Sequence, residues 1–229
     1  MEYVKKLVEY YDELYPLTED QKVFFNSLKA DSPVPTKFLH IGCGTGSHVQ
    51  YLAETGSDVT GIDQFQDLIS SASLRRRTQL QSVRYFYMLP VEIARFLGKG
   101  FYDVVFSLNN QVILIHDQTL MKKYFYDVKT LLKTGGKFVI SMTNFQNYAI
   151  TEKAVELPER KSMRSQLDTD AWKPPTGEYL LSQKLETGNG RILDIMDETK
   201  IYPITPNEIS TLAQETGFKS VKFYEDFGM

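Results

Sequence analysis

The stretch Lys37-Phe38-Leu39-His40-Ile41-Gly42-Cys43-Gly44-Thr45-Gly46 decides the fold. Its first five residues are a short apolar run that reads as a buried strand. Three glycines then alternate with small residues, so the backbone can turn tightly and a ligand can approach with no Cβ in the way. Residues 47–54 carry a helix pattern, and a second apolar run, 59–62, ends on Asp63. Strand, glycine turn, helix, strand and acid is the plan of a nucleotide-binding βαβ unit. The start of such a helix offers unpaired N–H groups and a partial positive charge, which suit an anionic group. Asp63 follows the first glycine by about twenty residues, where a carboxylate at a strand end can accept from both hydroxyls of a ribose.

The glycine spacing discriminates further. It is G-x-G-x-G, not the G-x-G-x-x-G of dinucleotide enzymes, and no Gly-Lys-Ser or Gly-Lys-Thr follows as in a P-loop. HIGCGTG followed by VTGID resembles the first two motifs of the class I S-adenosylmethionine-dependent methyltransferases of small-molecule type. The resemblance implies an α/β fold: a doubly wound, mostly parallel, Rossmann-like sheet with N-terminal cap helices and a small antiparallel lid inserted after the fifth strand. It implies S-adenosylmethionine as cofactor and methyl transfer to N or O of a small-molecule acceptor. On this reading residues 1–229 are one domain, with a helical cap (1–30), a cofactor-binding core (37–142), a lid (146–204) and a last helix and strand (205–229).

Composition bounds the partners. At 229 residues the chain suits one α/β domain, and 14 Tyr, 14 Phe and one Trp can supply its core. The net charge is −3 with both signs scattered, which argues against nucleic acid as a partner. The one basic run, Arg75-Arg76-Arg77, reads as a solvated helix end. A single cysteine, Cys43, excludes an intrachain disulfide framework and suits a reducing cytoplasm. No apolar run approaches membrane-spanning length and no signal peptide opens the chain, so no membrane role is expected, and a monomer or homodimer is. The three histidines have no ligand spacing with the cysteine, so no metal is expected.

Around the core, residues 2–14 and 18–29 read as two helices, the second opened by a Thr18–Gln21 capping box. Tyr11, in a tyrosine-dense segment, resembles the family's "YD..Y" cap and is a candidate contact with cofactor or acceptor. Residues 65–77 read as a helix, 83–88 and 102–108 as the third and fourth strands, and 138–142 as the fifth. The resemblance places adenine beside Met88 and Leu89. It normally puts an acid just before that pair, where Tyr87 stands, and another two residues before the first glycine, where His40 stands. Gln64 beside Asp63, and Asn109 at the end of the fourth strand, complete the cofactor-binding candidates with His40, Gly42, Gly44, Gly46, Asp63, Met88 and Leu89. Tyr11 and His116 are the candidate catalytic groups for an acceptor that needs a base. Asp117 reads as the cap of a helix that runs to Leu132, closed by Gly135. Residues 143–190 look irregular up to a hairpin of 179–186 and 191–204 around Gly188-Asn189-Gly190, and 218–224 reads as a last strand.

The rival readings are a cofactor-binding module with weak or no turnover, motivated by His40 and Tyr87, and a macromolecule methyltransferase, which the charge balance opposes. A nicotinamide dehydrogenase has the wrong glycine spacing. The leading reading requires a glycine bend that a ligand can reach and an Asp63 that faces it.

Overall fold

The computed structural model describes residues 2–75 and 82–228. Arg76 and Arg77 of the basic run lie outside the described residues. Two helices, α1 (Glu2–Leu14) and α2 (Glu19–Ser27), precede the first strand, β1 (Lys37–Ile41). Then follow α3 (Ser47–Glu54), β2 (Asp58–Asp63), α4 (Gln66–Arg75), β3 (Val83–Tyr87), α5 (Ile93–Phe96), β4 (Tyr102–Ser107), α6 (Gln118–Leu131) and β5 (Leu132–Ile140). The five strands form a parallel sheet in the order β3-β2-β1-β4-β5. The order reverses between β1 and β4, so the crevice beyond their carboxyl ends is the topological switch point where open α/β sheets bind ligands.

Side-chain alternation along the strands assigns the two faces. Leu39, Ile41, Ile62 and Val105 pack with Met121, Tyr124, Phe125 and Val128 of α6. Phe38, Val59, Val104 and Phe106 pack with Val49 and Leu52 of α3, Phe25 of α2 and Ile69 of α4. Helices on both faces explain why the strands read as apolar runs rather than as alternating ones.

A second, antiparallel sheet follows. It comprises β6 (Val155–Glu156), β7 (Arg160–Lys161), β8 (Ser165–Trp172), β9 (Tyr179–Thr187) and β10 (Ile192–Ile201), with β7 paired to β8. The last helix is α7 (Pro206–Glu215), with the Thr205–Glu208 capping box. α1 joins the two sheets: Leu7, Tyr11 and Leu14 pack with Leu68 of α4 and with Leu167, Leu185 and Ile195 of the second sheet.

Four expectations need correction. β8 was not foreseen, because only Leu167 and Ala171 of its apolar positions are buried and polar residues fill the rest. Trp172, within the stretch expected to be irregular, ends that strand. Gly135 does not close the helix: α6 ends at Leu131, and Leu132 already pairs with Tyr102. Gly135, at φ +80°, lies instead in the irregular stretch before pairing resumes at Lys137 and Val104. Finally, residues 218–224 form no strand. Phe218 packs on Phe138, and Phe227 reaches back to Phe24 of α2, with ring centroids 5.2 Å apart, so aromatic anchoring holds the tail where a strand was expected.

Candidate functional site at the switch point

The turn between β1 and α3 needs left-handed backbone at Gly42, Gly44 and Gly46, with φ of 76°, 57° and 85°. A residue with a Cβ adopts such angles only with strain. Gly42 and Cys43 both donate N–H bonds of 2.9 Å to the carbonyl of Ile62, which binds the turn to β2. Asp63 ends β2 and is 2% exposed. Its Oδ2 accepts from Gly44 N–H at 2.8 Å, and its Oδ1 accepts from Phe65 N–H at 2.9 Å. Burial pushes the Asp63 carboxyl up to about 6, against the opposing pull of the N–H donors of Gly44, Phe65 and Gln64.

Asp12 of α1 clamps the other side of the turn. It accepts from the hydroxyls of Thr45 and Ser47 and pairs with Arg75 of α4. Its burial raises its pKa, but the hydrogen bonds from Arg75, Thr45 and Ser47 outweigh that and hold the carboxyl below its ordinary value. Sequence reasoning missed this residue, because its partners stand more than thirty positions along the chain.

Two hollows meet here. A narrow cleft of about 10 Å³ is bordered by Gly42, Asp63, Gln64, Met88, Pro90 and Gln111 among others. A larger cavity of about 260 Å³ lies between the parallel sheet, α1 and the second sheet, bordered by Tyr11, Tyr15, Phe65, Asn109, Arg160 and Gln183 among others. Gln111 borders both. Asn109 and Asn110, just after β4, both have positive φ, 55° and 63°. Asn110 holds its conformation by accepting from Thr143 N–H and donating to the Thr143 hydroxyl. Such strain in non-glycine residues gathers at functional sites.

The chain's own side chains cover the glycine turn. A Cβ built at Gly42 would lie 2.5 Å from Gln111 Cγ, one at Gly44 2.3 Å from the Tyr11 hydroxyl, and one at Gly46 2.3 Å from the Tyr85 hydroxyl. The bend is therefore less open than the sequence reading required, while Asp63 faces it as required. Burial pushes the Tyr11 phenol well above its ordinary value, so it is a donor at neutral pH and not a base.

The structure separates the other candidates. Met88 and Gln64 border the cleft, and Asn109 borders the cavity. Leu89 is 44% exposed and borders neither hollow; Pro90 stands at the cleft in its place. His40 lies on the opposite face of the sheet, stacked on Phe106 with ring centroids 4.2 Å apart. Strand alternation puts it there with Phe38, and burial, with His48 beside it, holds its pKa well below 6.5. A neutral ring in that position does not repel a cationic ligand in the cleft. His116 is exposed and borders neither hollow, because the chain turns outward before α6 begins. Cys43 is buried, and burial pushes its thiol well above the ordinary value. Among the described residues no helix is long and apolar enough to cross a membrane.

Comparison with known proteins agrees with this geometry. The Ubiquinone biosynthesis O-methyltransferase of Psychrobacter cryohalolentis is 31% identical over 109 residues, 47% of this chain and 41% of that protein. The match thus spans less than half the length of that relative. The CcbJ methyltransferase from Streptomyces caelestis superposes with a TM-score of 0.73 at 18% identity, over 92% of this chain and 84% of that one. CalS10, an amino pentose methyltransferase from Micromonospora echinaspora, does so with a TM-score of 0.64 at 18% identity, over 92% and 88%. At such identities the likeness is one of fold. The family model described as a methyltransferase domain matches residues 34–204, a span that holds the glycine turn, Asp63, the switch point and all five strands of the second sheet, and the chain belongs to that family.

Proposed function

We propose that this chain transfers a methyl group from S-adenosylmethionine to N or O of a small-molecule acceptor. One observation carries the reading: Asp63 meets Gly44 at the switch point, next to a cavity of a size suited to a small acceptor. Such pockets typically measure about 300–1,000 Å³, and this one falls just below that range.

The residues present suit the cofactor. Asp63 would hold the ribose hydroxyls, Met88 and Ile62 would flank the base, and the glycine turn would let the amino-acid end approach. Their use requires Gln111 and Tyr11 to draw back from Gly42 and Gly44. Gln111 has a flexible side chain, and the Tyr11 hydroxyl is the far end of its own. When bound, the cofactor supplies an electrophilic sulfonium methyl with a neutral leaving group. The protein's task is then to align the acceptor and exclude water. Tyr11, Tyr15 and Phe65 wall the cavity with aromatic faces, and Asn109, Thr169 and Gln183 offer polar groups to orient an acceptor. Tyr11, protonated, would donate to the acceptor or to the cofactor.

We read the chain as one functional unit, with the second sheet acting as a lid over the cleft. The single buried cysteine favours a reducing compartment such as the cytoplasm, and the charge balance disfavours nucleic acid. A monomer or homodimer is compatible with this site.

The covered glycine turn favours a second reading, a binding module without turnover. Calorimetry with S-adenosylhomocysteine, together with labelled methyl transfer on a panel of phenols, amines and amino sugars, separates the two. Binding with turnover is expected. Binding without turnover selects the module, and no binding removes both readings.

A further inference from the structure

The larger cavity contains a cation with neutral partners. Arg160 of β7 lies with its guanidinium carbon 4.4 Å from the Tyr15 ring centroid. Its Nη1 donates to the carbonyl of Leu14 at 3.4 Å, and its Nη2 to Asn109 Oδ1 at 3.2 Å. Among the described residues no carboxylate lies within 4.0 Å of it. Arg164, four residues on, differs: it pairs with Glu9 and Glu13 on the surface. Among the described residues Glu159 is the one carboxylate bordering the cavity; it is exposed and does not pair with Arg160.

A half-buried arginine is costly unless something compensates its charge. An aromatic face and two neutral oxygens compensate in part. They also orient the planar fork and leave donors unused, which is the arrangement that receives a carboxylate or phosphate in two parallel bonds. Asn109, at φ 55°, is held in an unfavourable backbone conformation while its side chain accepts from Arg160. The guanidinium is thereby linked to the end of β4, beside Gln111 and the narrow cleft.

We propose that Arg160 anchors an anionic group, a carboxylate or phosphate, carried by the methyl acceptor. The inference rests on the methyl-transfer reading for the word acceptor, and the anion site itself can be tested apart from it. The rings of Tyr11 and Tyr15, with centroids 4.7 Å apart, border the same cavity and suit a flat acceptor body.

The test uses benzoate and its neutral isostere benzamide, titrated calorimetrically at fixed ionic strength into the full chain, with and without S-adenosylhomocysteine. Wild type is expected to bind benzoate about tenfold tighter than benzamide. Arg160→Gln should equalise the two, Arg160→Lys should keep part of the preference, and Arg164→Gln should keep all of it. Thermal unfolding of each variant confirms a folded protein; if Arg160→Gln is unfolded, Arg160→Lys carries the comparison, and a full preference there overturns the proposal. Equal binding of acid and amide by wild type, binding of neither, or a preference that survives Arg160→Gln also overturns it. Arg160→Gln that weakens S-adenosylhomocysteine and leaves benzoate unchanged assigns the guanidinium to the cofactor's own carboxylate and overturns it too. A benzoate preference in a chain that does not bind S-adenosylhomocysteine supports the anion site while removing the methyl-transfer reading.

Discussion

Oδ2 of Asp63 accepts a 2.8 Å hydrogen bond from the backbone N–H of Gly44, so one carboxylate joins the end of β2 to the turn after β1. Asp63→Ala removes that bond and the one from Phe65. The loss of two buried bonds should cost about 1–3 kcal/mol of stability, offset in part by the relief of a buried charge. S-adenosylhomocysteine affinity should fall at least about tenfold. Calorimetry and urea unfolding measure the two effects separately, and wild-type affinity in the variant would contradict the assignment. Because burial sets Asp63 at about 6, wild-type affinity should also weaken as pH drops below that value, and in Asp63→Asn this dependence should vanish.

Acid stability tests the buried titratable groups. Asp63 binds its proton more tightly in the folded state, so its contribution is full below pH 3.8 and lost as pH rises through about 6. The histidines act in the opposite sense. Burial pushes His48 down to about 4 and His40 well below 6.5, so their contribution is present above pH 6.5 and lost as pH falls. Two histidines against one carboxylate should make wild type less stable at pH 4.5 than at 6.5. His40→Leu should flatten that slope. At pH 7 it should also raise stability by about 1 kcal/mol, because both ring nitrogens of His40 are buried without a hydrogen-bond partner. Urea unfolding across this range decides, and an unchanged slope in His40→Leu would count against the assignment.

Glycine substitutions separate strain from crowding. Gly44 and Gly56 both have positive φ, 57° and 91°. A Cβ at Gly44 would strike Tyr11, whereas one at Gly56 would meet nothing within 4 Å. Gly56→Ala should therefore show backbone strain alone, about 1 kcal/mol. Gly44→Ala should cost more, and Gly44→Val should also abolish S-adenosylhomocysteine binding. Equal melting temperatures for the two alanine variants would show that Tyr11 yields without cost.

Tyr11 and His116, the two candidate catalytic groups, occupy different surroundings: Tyr11 is buried beside the cavity and His116 is exposed. Tyr11→Phe removes a buried donor and should lower kcat about tenfold, with no change in the position of the acidic limb of the pH–rate profile. His116→Ala should leave turnover within about twofold of wild type, because surface substitutions away from a site have small effects. A large loss in His116→Ala would place it in the reaction after all.

The legible parts of the site are those written locally. Gly42, Gly44 and Gly46 announce left-handed backbone, and Asp63 announces a carboxylate at a strand end, because each depends on conformation within a few residues. The Thr18 capping box was readable for the same reason. β8 was not, because its pairing with β9 relies on few buried apolar side chains.

By itself, then, the sequence determined the βαβ core, the order of its elements and the acid that meets the turn. Tertiary structure alone decided that His40 faces away from the cleft, that Asp12 clamps the turn, that Tyr11 and Gln111 lie over the glycines, and that Arg160 reaches Asn109 across 51 residues. The physical reason is range. Backbone geometry is encoded by neighbours along the chain, whereas the company a side chain keeps is set by how separate elements pack.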